Sequence, residues 1–436
     1  MLPFEEHPER RALVNELHAR PFQPMTAPGR VLHLAFQQPA HPADRDEARD
    51  RAHLTAILDR HGAAHPAPGA NHHAVTIGRV VLTWERHTEF VSYTVFEAGG
   101  AGSTFDAGLA GYLTTGDPSD APPPGKLIAA IQCELVSVPD HDAALAVLDG
   151  PIGKCFSGES LACAWVADGE VLAIGDFRLD ENGYSRFALA VVEGMGPRRI
   201  GRVCQRLLEM DVYRSLAMLA LPIARSTVKR LNEIETALAA LIGQVALDED
   251  ATPEGLILAE LTELSAEIEA LSADAAFRFG AAGAYEAIVH QRIEMLTEAR
   301  VRGRQLFRDF MLRRFDPAMR TIHAAERRLG ELAVRGSRAS ELLRTRVNVV
   351  LEAQNRDLLS SMDRRAALQL RLQETVEGLS VVAISYYAVS LAGYLLAPFA
   401  KALGVDKTVA TAVVCLPVIL GVWWFVRRLR RRIEKR

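Results

Sequence analysis

Ten of the thirteen histidines in this chain fall before residue 90, and four of them, His61, His65, His72 and His73, crowd one short segment. Imidazole nitrogen suits transition metals, and the four-residue step from His61 to His65 would place two ligands on one helical face. Gly62, Pro66, Pro68 and Gly69 interrupt any regular helix there, and no cysteine or carboxylate accompanies the imidazoles. The segment therefore reads as a solvated loop, and these four residues are the metal candidates. The run Gly150–Cys155 (GPIGKC) lacks the glycine spacing and the hydroxyl residue after lysine that a phosphate loop requires. Gly99–Ser103 reads as a flexible loop. Arg20-Pro21 and Arg178 could hold an anion, but structural salt bridges are the simpler reading. No Ser/His/Asp or Cys/His set can be assembled from spacing. The cysteines are Cys133, Cys155, Cys163, Cys204 and Cys415, odd in number and without a C-x-x-C pair. They read as free thiols in a reducing compartment. These residues predict neither an enzyme nor a cofactor.

A second set lies in an apolar context. Gly378–Ala400 contains 23 residues without a charge, and Thr408–Val426 another 19. At about 1.5 Å per residue the first covers roughly 34 Å, enough for a hydrocarbon core of ~30 Å. Ser380, Tyr387, Ser390 and Tyr394 recur at seven, three and four residues, on one face of the first run. Hydroxyl groups so placed suit a pore lining or close helix packing. Trp423 and Trp424 close the second run at the position of an aromatic belt. The tail that follows, RRLRRRIEKR, has seven basic residues in ten. Basic flanks stay cytoplasmic, so two spans return the preceding 376 residues to the same side. Beside a membrane, such a tail is read as a contact for anionic lipid headgroups rather than for nucleic acid.

The elements that would carry these groups follow from length and charge. The chain has 436 residues, is 49% hydrophobic and has a net charge of −4. That composition excludes a disordered chain, a collagen-like repeat and a disulfide scaffold. The balance is sorted along the chain: residues 1–291 sum to −17 and residues 292–436 to +13. No apolar core of signal-peptide length follows the N-terminus.

Residues 1–197 read as an α+β domain with a largely antiparallel sheet. A helix is expected around Glu9–Ala19, a strand at Val31–Phe36, a helix within Asp44–Arg60, and a hairpin from Val75–Trp84 and Phe90–Phe96. Lys126–Val138 is a further strand and Ala143–Leu148 a short helix. Leu161–Val166, Val171–Phe177 and Tyr184–Val192, joined at Asp168-Gly169 and Asn182-Gly183, predict an antiparallel meander. Residues 198–339 read as helical, with a kink at Pro222, a helix start at Thr252-Pro253-Glu254 and a break at Asp316-Pro317. An acidic helix Leu256–Leu271 and a basic one, Tyr285 to about Arg314, are expected to pair antiparallel.

A stalk helix is predicted over 340–376, running into the first span (377–400). Leu343, Val347, Val350, Gln354, Leu358, Ser361, Arg365, Leu368, Leu372 and Val376 form a stripe spaced by three and four. It suits packing against the previous helix and a coiled-coil seam in a homo-oligomer equally well. The second span is 408–426 and the tail 427–436.

Several stretches resemble a bacterial family of uncharacterised membrane-anchored proteins, a domain of unknown function. They are ELHARPF (Glu16–Phe22), GDFRLDENGYSRF (Gly175–Phe187), YRSLAMLALPIAR (Tyr213–Arg225), RRFDPAMRT (Arg313–Thr321) and SMDRRAALQLRLQETVEGLSVVAISYY (Ser361–Tyr387). That resemblance implies a membrane hairpin and supplies no activity. The order of elements is also similar to the CorA-type magnesium channels, in which five stalks form a funnel and the first span lines the pore. Where that family carries Gly-Met-Asn, this chain has Ala392-Gly393-Tyr394-Leu395-Leu396, and its outer loop has no acidic cluster. The expectation is a non-enzymatic, membrane-tethered homo-oligomer in the bacterial inner membrane with both termini cytoplasmic. Cation transport is the alternative, and an enzyme in the α/β domain the third reading.

Overall fold

The computed structural model describes residues 4, 6–10, 14, 22–38, 45–99, 104–114, 121–247, 254–301, 303–402 and 406–433. The helix expected at Glu9–Ala19, most of the ELHARPF stretch, Arg20-Pro21 and Thr252-Pro253 lie largely or wholly outside them. The chain divides into two compact units, Met1–Ala339 and Ser340–Arg436.

In the first unit nine strands form one sheet among the described residues, ordered β2-β3-β4-β1-β5-β8-β7-β6-β9. They are β1 (Gly29–Gln37), β2 (His72–Ile77), β3 (Val80–Arg86), β4 (Phe90–Ala98), β5 (Lys126–Val138), β6 (Ala162–Val166), β7 (Val171–Leu179), β8 (Ser185–Val192) and β9 (Ala299–Arg300). Every named pairing is antiparallel except β5 with β8. The meander forms as expected, with positive φ at Asp168, Gly169 and Gly183. One expected strand is corrected. Val75–Trp84 is two strands, because Gly78 turns the chain at φ 60° and makes a hairpin inside that stretch.

Helix α1 (Glu47–Arg60) starts where the Asp46 carboxylate accepts the Ala48 and Arg49 amides. It covers one face of the β2-β3-β4-β1 half, where Leu54, Ile57 and Leu58 pack on Leu32, Leu82, Trp84 and Tyr93. Helix α2 (His141–Asp149) covers the other half on Cys163, Leu172, Ile174 and Ala190.

Helices α3 (Pro197–Met218) and α4 (Ala220–Leu247) replace the single kinked helix expected there. A proline ring collides with the carbonyl four residues earlier, and four residues before Pro222 is Met218, the last residue of α3. The acidic and basic helices expected as a pair are instead parts of one, α5 (Glu254–Leu296). No proline separates Leu271 from Tyr285, and Gly280 and Gly283 cost a helix too little to break it. The basic stretch beyond leaves the helix, forming β9 and then α6 (Phe307–Arg314).

Helix α7 runs from Asp316 to Ala402, so it begins well before the expected Ser340. Pro317 occupies its first turn, where a missing N–H costs nothing. Within the first unit its buried residues Met319, Ile322, Ala325, Leu329 and Leu332 repeat at three and four. Arg328 ion-pairs with Glu235 of α4, and His323 Nε2 lies 2.7 Å from Glu286 of α5.

The second unit holds the remainder of α7 and α8 (Lys407–Ile433). The two meet through small residues. A Cβ on Gly393 would stand 3.6 Å from Thr411, and Ser385 is buried. Both helices contain stretches long and apolar enough to cross a membrane, with mean hydropathy 1.5, within Phe307–Leu395 and over Thr411–Arg428.

Candidate functional site

The face of the sheet turned away from α1 changes character under α3. Register places Thr83 opposite Thr94 and Thr94 opposite His33, and beside them Glu85 opposite Ser92. Strand alternation thus sets a polar row on one face while Leu82, Tyr93 and Leu32 line the other. Such a row beneath a packed helix requires internal partners, because an unpaired buried polar group costs about 1–3 kcal/mol.

His33 supplies Nδ1 to a hydrogen bond of 2.9 Å with Thr94 Oγ1. Burial pushes its pKa down to about 4, against the opposing charge of Asp211, so the ring is neutral at pH 7. The Thr83 hydroxyl donates to Gln23 Oε1 at 2.8 Å, while Gln23 Nε2 is buried with no partner among the described residues. Gln23 belongs to a strap leading into β1. The Met25 amide donates to the Pro197 carbonyl at 3.0 Å, and Gly201 lies so close that a Cβ there would be 2.0 Å from Gln23 O.

The opposite wall is α3. Gln205 Nε2 donates to Glu209 Oε1 at 2.9 Å, and Glu209 ion-pairs with Arg292 of α5. His87 stacks on Phe90 at 4.1 Å, and Tyr213 meets Phe90 edge-on at 5.8 Å. The chamber enclosed has a volume of about 30 Å³. That is room for a water or two, not for an organic substrate. Neighbouring buried charges are fully engaged. Asp211 accepts from Ser185 Oγ at 2.5 Å and from Arg214 Nη2 at 2.6 Å, and Glu89 from Arg278 at 2.8 Å and Gln37 at 3.2 Å. Polar groups across this layer therefore hold α3 and α5 on the sheet.

The four histidines singled out from spacing do not converge. His61 ends α1, with its ring 5.7 Å from that of Tyr112. His65 Nε2 lies 2.7 Å from Asp59 Oδ1, and His73 Nε2 donates to the Ala64 carbonyl at 2.8 Å. His72 sits opposite Glu85 on the edge pair. Among the described residues no group of three or more His, Cys, Asp or Glu side chains is placed to hold a metal ion. Gly153–Cys155 of the GPIGKC run is a single 3₁₀ turn, and Arg178 reaches Ser160 Oγ at 3.0 Å and Glu159 at 3.4 Å.

The GDFRLDENGYSRF stretch is a structural corner. Asp176 is buried and accepts the Ser157 amide at 2.8 Å, and a Cβ on Gly175 would stand 2.6 Å from the Phe187 ring. The β7 register shifts there, and Phe177 at φ 54° stacks on Phe310 of α6 at 4.5 Å. Strand alternation alone would not put that ring against α6.

On α7, Tyr387 and Tyr394 are 72% and 74% exposed, Ser380 is exposed and Ser390 half-buried. Ser385 and Gly393 face α8. Two residues on from Ser385 is about 200° of helical rotation, so Tyr387 points away from α8. The His33 row escaped sequence reading because its members sit on three strands, and only their register unites them.

A comparison with curated proteins finds no match. The model of a family described as "Protein of unknown function (DUF3422)" matches residues 5–433. With nearly its whole length covered, the chain belongs to that family.

Proposed function

We propose that this protein is a self-associating cytoplasmic module, without catalytic activity, tethered to the bacterial inner membrane by a C-terminal helical hairpin. One observation carries the reading. Along α7, Val350, Leu358, Leu368, Leu372 and Val376 are 40–70% exposed, one heptad-like stripe of aliphatic side chains interrupted by Gln354, Ser361 and Arg365. Burying one such side chain contributes about 1.5–3 kcal/mol, and the charged residues between them bar lipid as the cover. Copies of the same helix supply a matching stripe.

The spans support the tether. The core helix of a soluble protein is mostly buried, whereas only 6% and 0% of the two apolar windows is buried. Positive-inside orientation then puts the tail and the first unit in the cytoplasm, with the arginines at anionic headgroups. The small chamber at His33 supports a structural role for the polar layer rather than turnover of a substrate. The test is the mass of the detergent-solubilised chain by light scattering: a multiple of the 47.7 kDa protomer is expected, and a monomer at micromolar concentration sinks the reading.

A second reading, cation conduction on a scaffold similar to CorA-type channels, draws on the hydroxyl groups of Ser380, Tyr387, Ser390 and Tyr394, which recur along one face of α7. Its filter would differ from Gly-Met-Asn. Flux in proteoliposomes under Mg²⁺, Co²⁺ or Ni²⁺ gradients, compared with empty vesicles, decides it.

A further inference from the structure

The exposed stripe of α7 and the hydroxyl residues of its apolar stretch share one sequence frame. Leu343, Gln354, Arg365, Val376 and Tyr387 stand eleven residues apart, and so do Val350, Ser361, Leu372, Ala383 and Tyr394. Leu358 and Ser380 take the remaining position of that frame, four residues after Gln354 and Val376. Eleven residues in three turns give about 98° per residue, so positions one, five and eight of each repeat stay within an arc of roughly 65°. A seven-residue frame started at Leu343 lands on Val350 and then on Asp357, Arg364 and Arg371, three charges in succession. We propose that copies of this chain meet in parallel and in register along the eleven-residue frame, as a seam running unbroken from Leu343 into the apolar stretch at Tyr394. The inference rests on the self-associating, membrane-tethered reading above and adds the partner's orientation, register and period.

The face is bare along that line: Val350, Leu372, Val376, Tyr387 and Tyr394 are 40–74% exposed. Its polar members are self-complementary. An amide both donates and accepts, as does a hydroxyl, so Gln354 can pair with the same amide of a second copy and Ser361 with the same hydroxyl. Copies that enter one bilayer by the same helix run parallel and stand at the same height, which sets like against like. Arg365 is the one charge on the frame, and a single charged layer narrows the registers open to a seam at a cost in stability.

Other occupants fit less well. Lipid cannot cover Gln354 and Arg365, which precede the apolar run. A foreign helix would have to reproduce the eleven-residue spacing, which a second copy matches by identity. Within the apolar stretch, serine and tyrosine hydroxyls find partners on a copy that lipid tails do not offer. A period of about 3.67 residues exceeds the ~3.6 of the straight helix, so the copies wind about one another slowly and right-handed.

The test is disulfide trapping of the full chain in native membranes. Cys155→Ser and Cys415→Ser first remove the two cysteines that are not buried. Single cysteines are then placed on the eleven-residue frame (Gln354→Cys, Val376→Cys, Tyr394→Cys) and on the seven-residue frame (Asp357→Cys, Arg364→Cys, Arg371→Cys), and oxidised with copper phenanthroline. At least fivefold more covalent dimer is expected from each member of the first set than from any of the second. Light scattering in detergent separates the two levels of the reading. A protomer mass overturns self-association and this inference with it. A multiple of the protomer mass, with the second set trapped as well as the first or with no position trapped, overturns the eleven-residue seam and leaves self-association intact. Failure of Tyr394→Cys alone overturns the continuity of the seam into the apolar stretch.

Discussion

Thr94 stands directly opposite His33 across the β1–β4 ladder, and its hydroxyl lies 2.9 Å from His33 Nδ1. On the other face of the same sheet His53 Nδ1 lies 2.8 Å from the Tyr93 hydroxyl. One strand thus anchors a buried, neutral imidazole on each side.

Those two rings predict an acid sensitivity. Burial holds both pKa values down to about 4, against 6.5 in the unfolded chain. Above pH 6.5 both rings are neutral in both states and contribute nothing. As pH falls from 6.5 toward 4, only the unfolded chain takes up the protons, and stability falls by about 1.4 kcal/mol per unit for each ring. Asp50, Glu134 and Glu298, raised by burial, push the other way at lower pH. Comparing wild type with His53→Phe isolates the imidazole. Between pH 6.5 and 5 the variant should lose about 2 kcal/mol less in urea titrations. Parallel pH profiles would mean that His53 is not held neutral.

Asp211 is 2% exposed and accepts from Ser185 and Arg214. Asp211→Ala leaves the buried Ser185 hydroxyl without its carboxylate acceptor and the Arg214 guanidinium of the same helix without its ion-pair partner. A loss of about 3–5 kcal/mol is expected, read as a lower urea midpoint with an unchanged slope. Ser185→Ala, which leaves the ion pair, should cost only about 1 kcal/mol.

Gly201 has a backbone neighbour where a side chain would begin, the Gln23 carbonyl at 2.0 Å from an ideal Cβ. Gly201→Ala should therefore displace the strap that carries Gln23 and Met25. Overpacking of this kind costs about 1–3 kcal/mol. Hydrogen exchange at the Met25 amide, bonded to Pro197 O, should accelerate first; unchanged exchange would show that α3 yields instead.

On the exposed stripe of α7, Leu358→Gln with Leu372→Gln should lower the detergent-phase mass toward the protomer without shifting the melting of the first unit. Leu359→Gln with Leu370→Gln, equally exposed but off the stripe, should leave the mass unchanged. The opposite pattern would move the seam to another face.

Much of this architecture could be read from the residues, and the failures have physical causes. Lys126–Val138 coincides with β5 because thirteen residues without a breaker leave strand as the economical reading. The two apolar helical stretches stand out because their charge-free runs are long and the second ends in a block of arginine. Gly78 hid a hairpin inside Val75–Trp84, since a lone glycine between valine-rich stretches looks like a strand defect. Gly280 and Gly283, by contrast, look like a break and are not one, because burial of Phe279, Ala282 and Val289 outweighs their propensity. The His33 row was illegible because Thr83, Thr94 and His33 lie 11 and 61 residues apart and meet only through register.

The parallel pairing of β5 with β8, the one such pairing of named strands among the described residues, bears on how the chain is made. Strands β1 to β5 can zip together as soon as Val138 is synthesised, but the partner for the outer side of β5 ends only at Val192. At about 5–20 residues per second, those 54 or so residues take roughly 3–11 s to arrive. For that interval the eight residues of β5 that β8 will pair, Ile131–Val138, stand as an open edge on the nascent protein. Slowing translation between codons 139 and 192 should increase its capture by ribosome-associated chaperones.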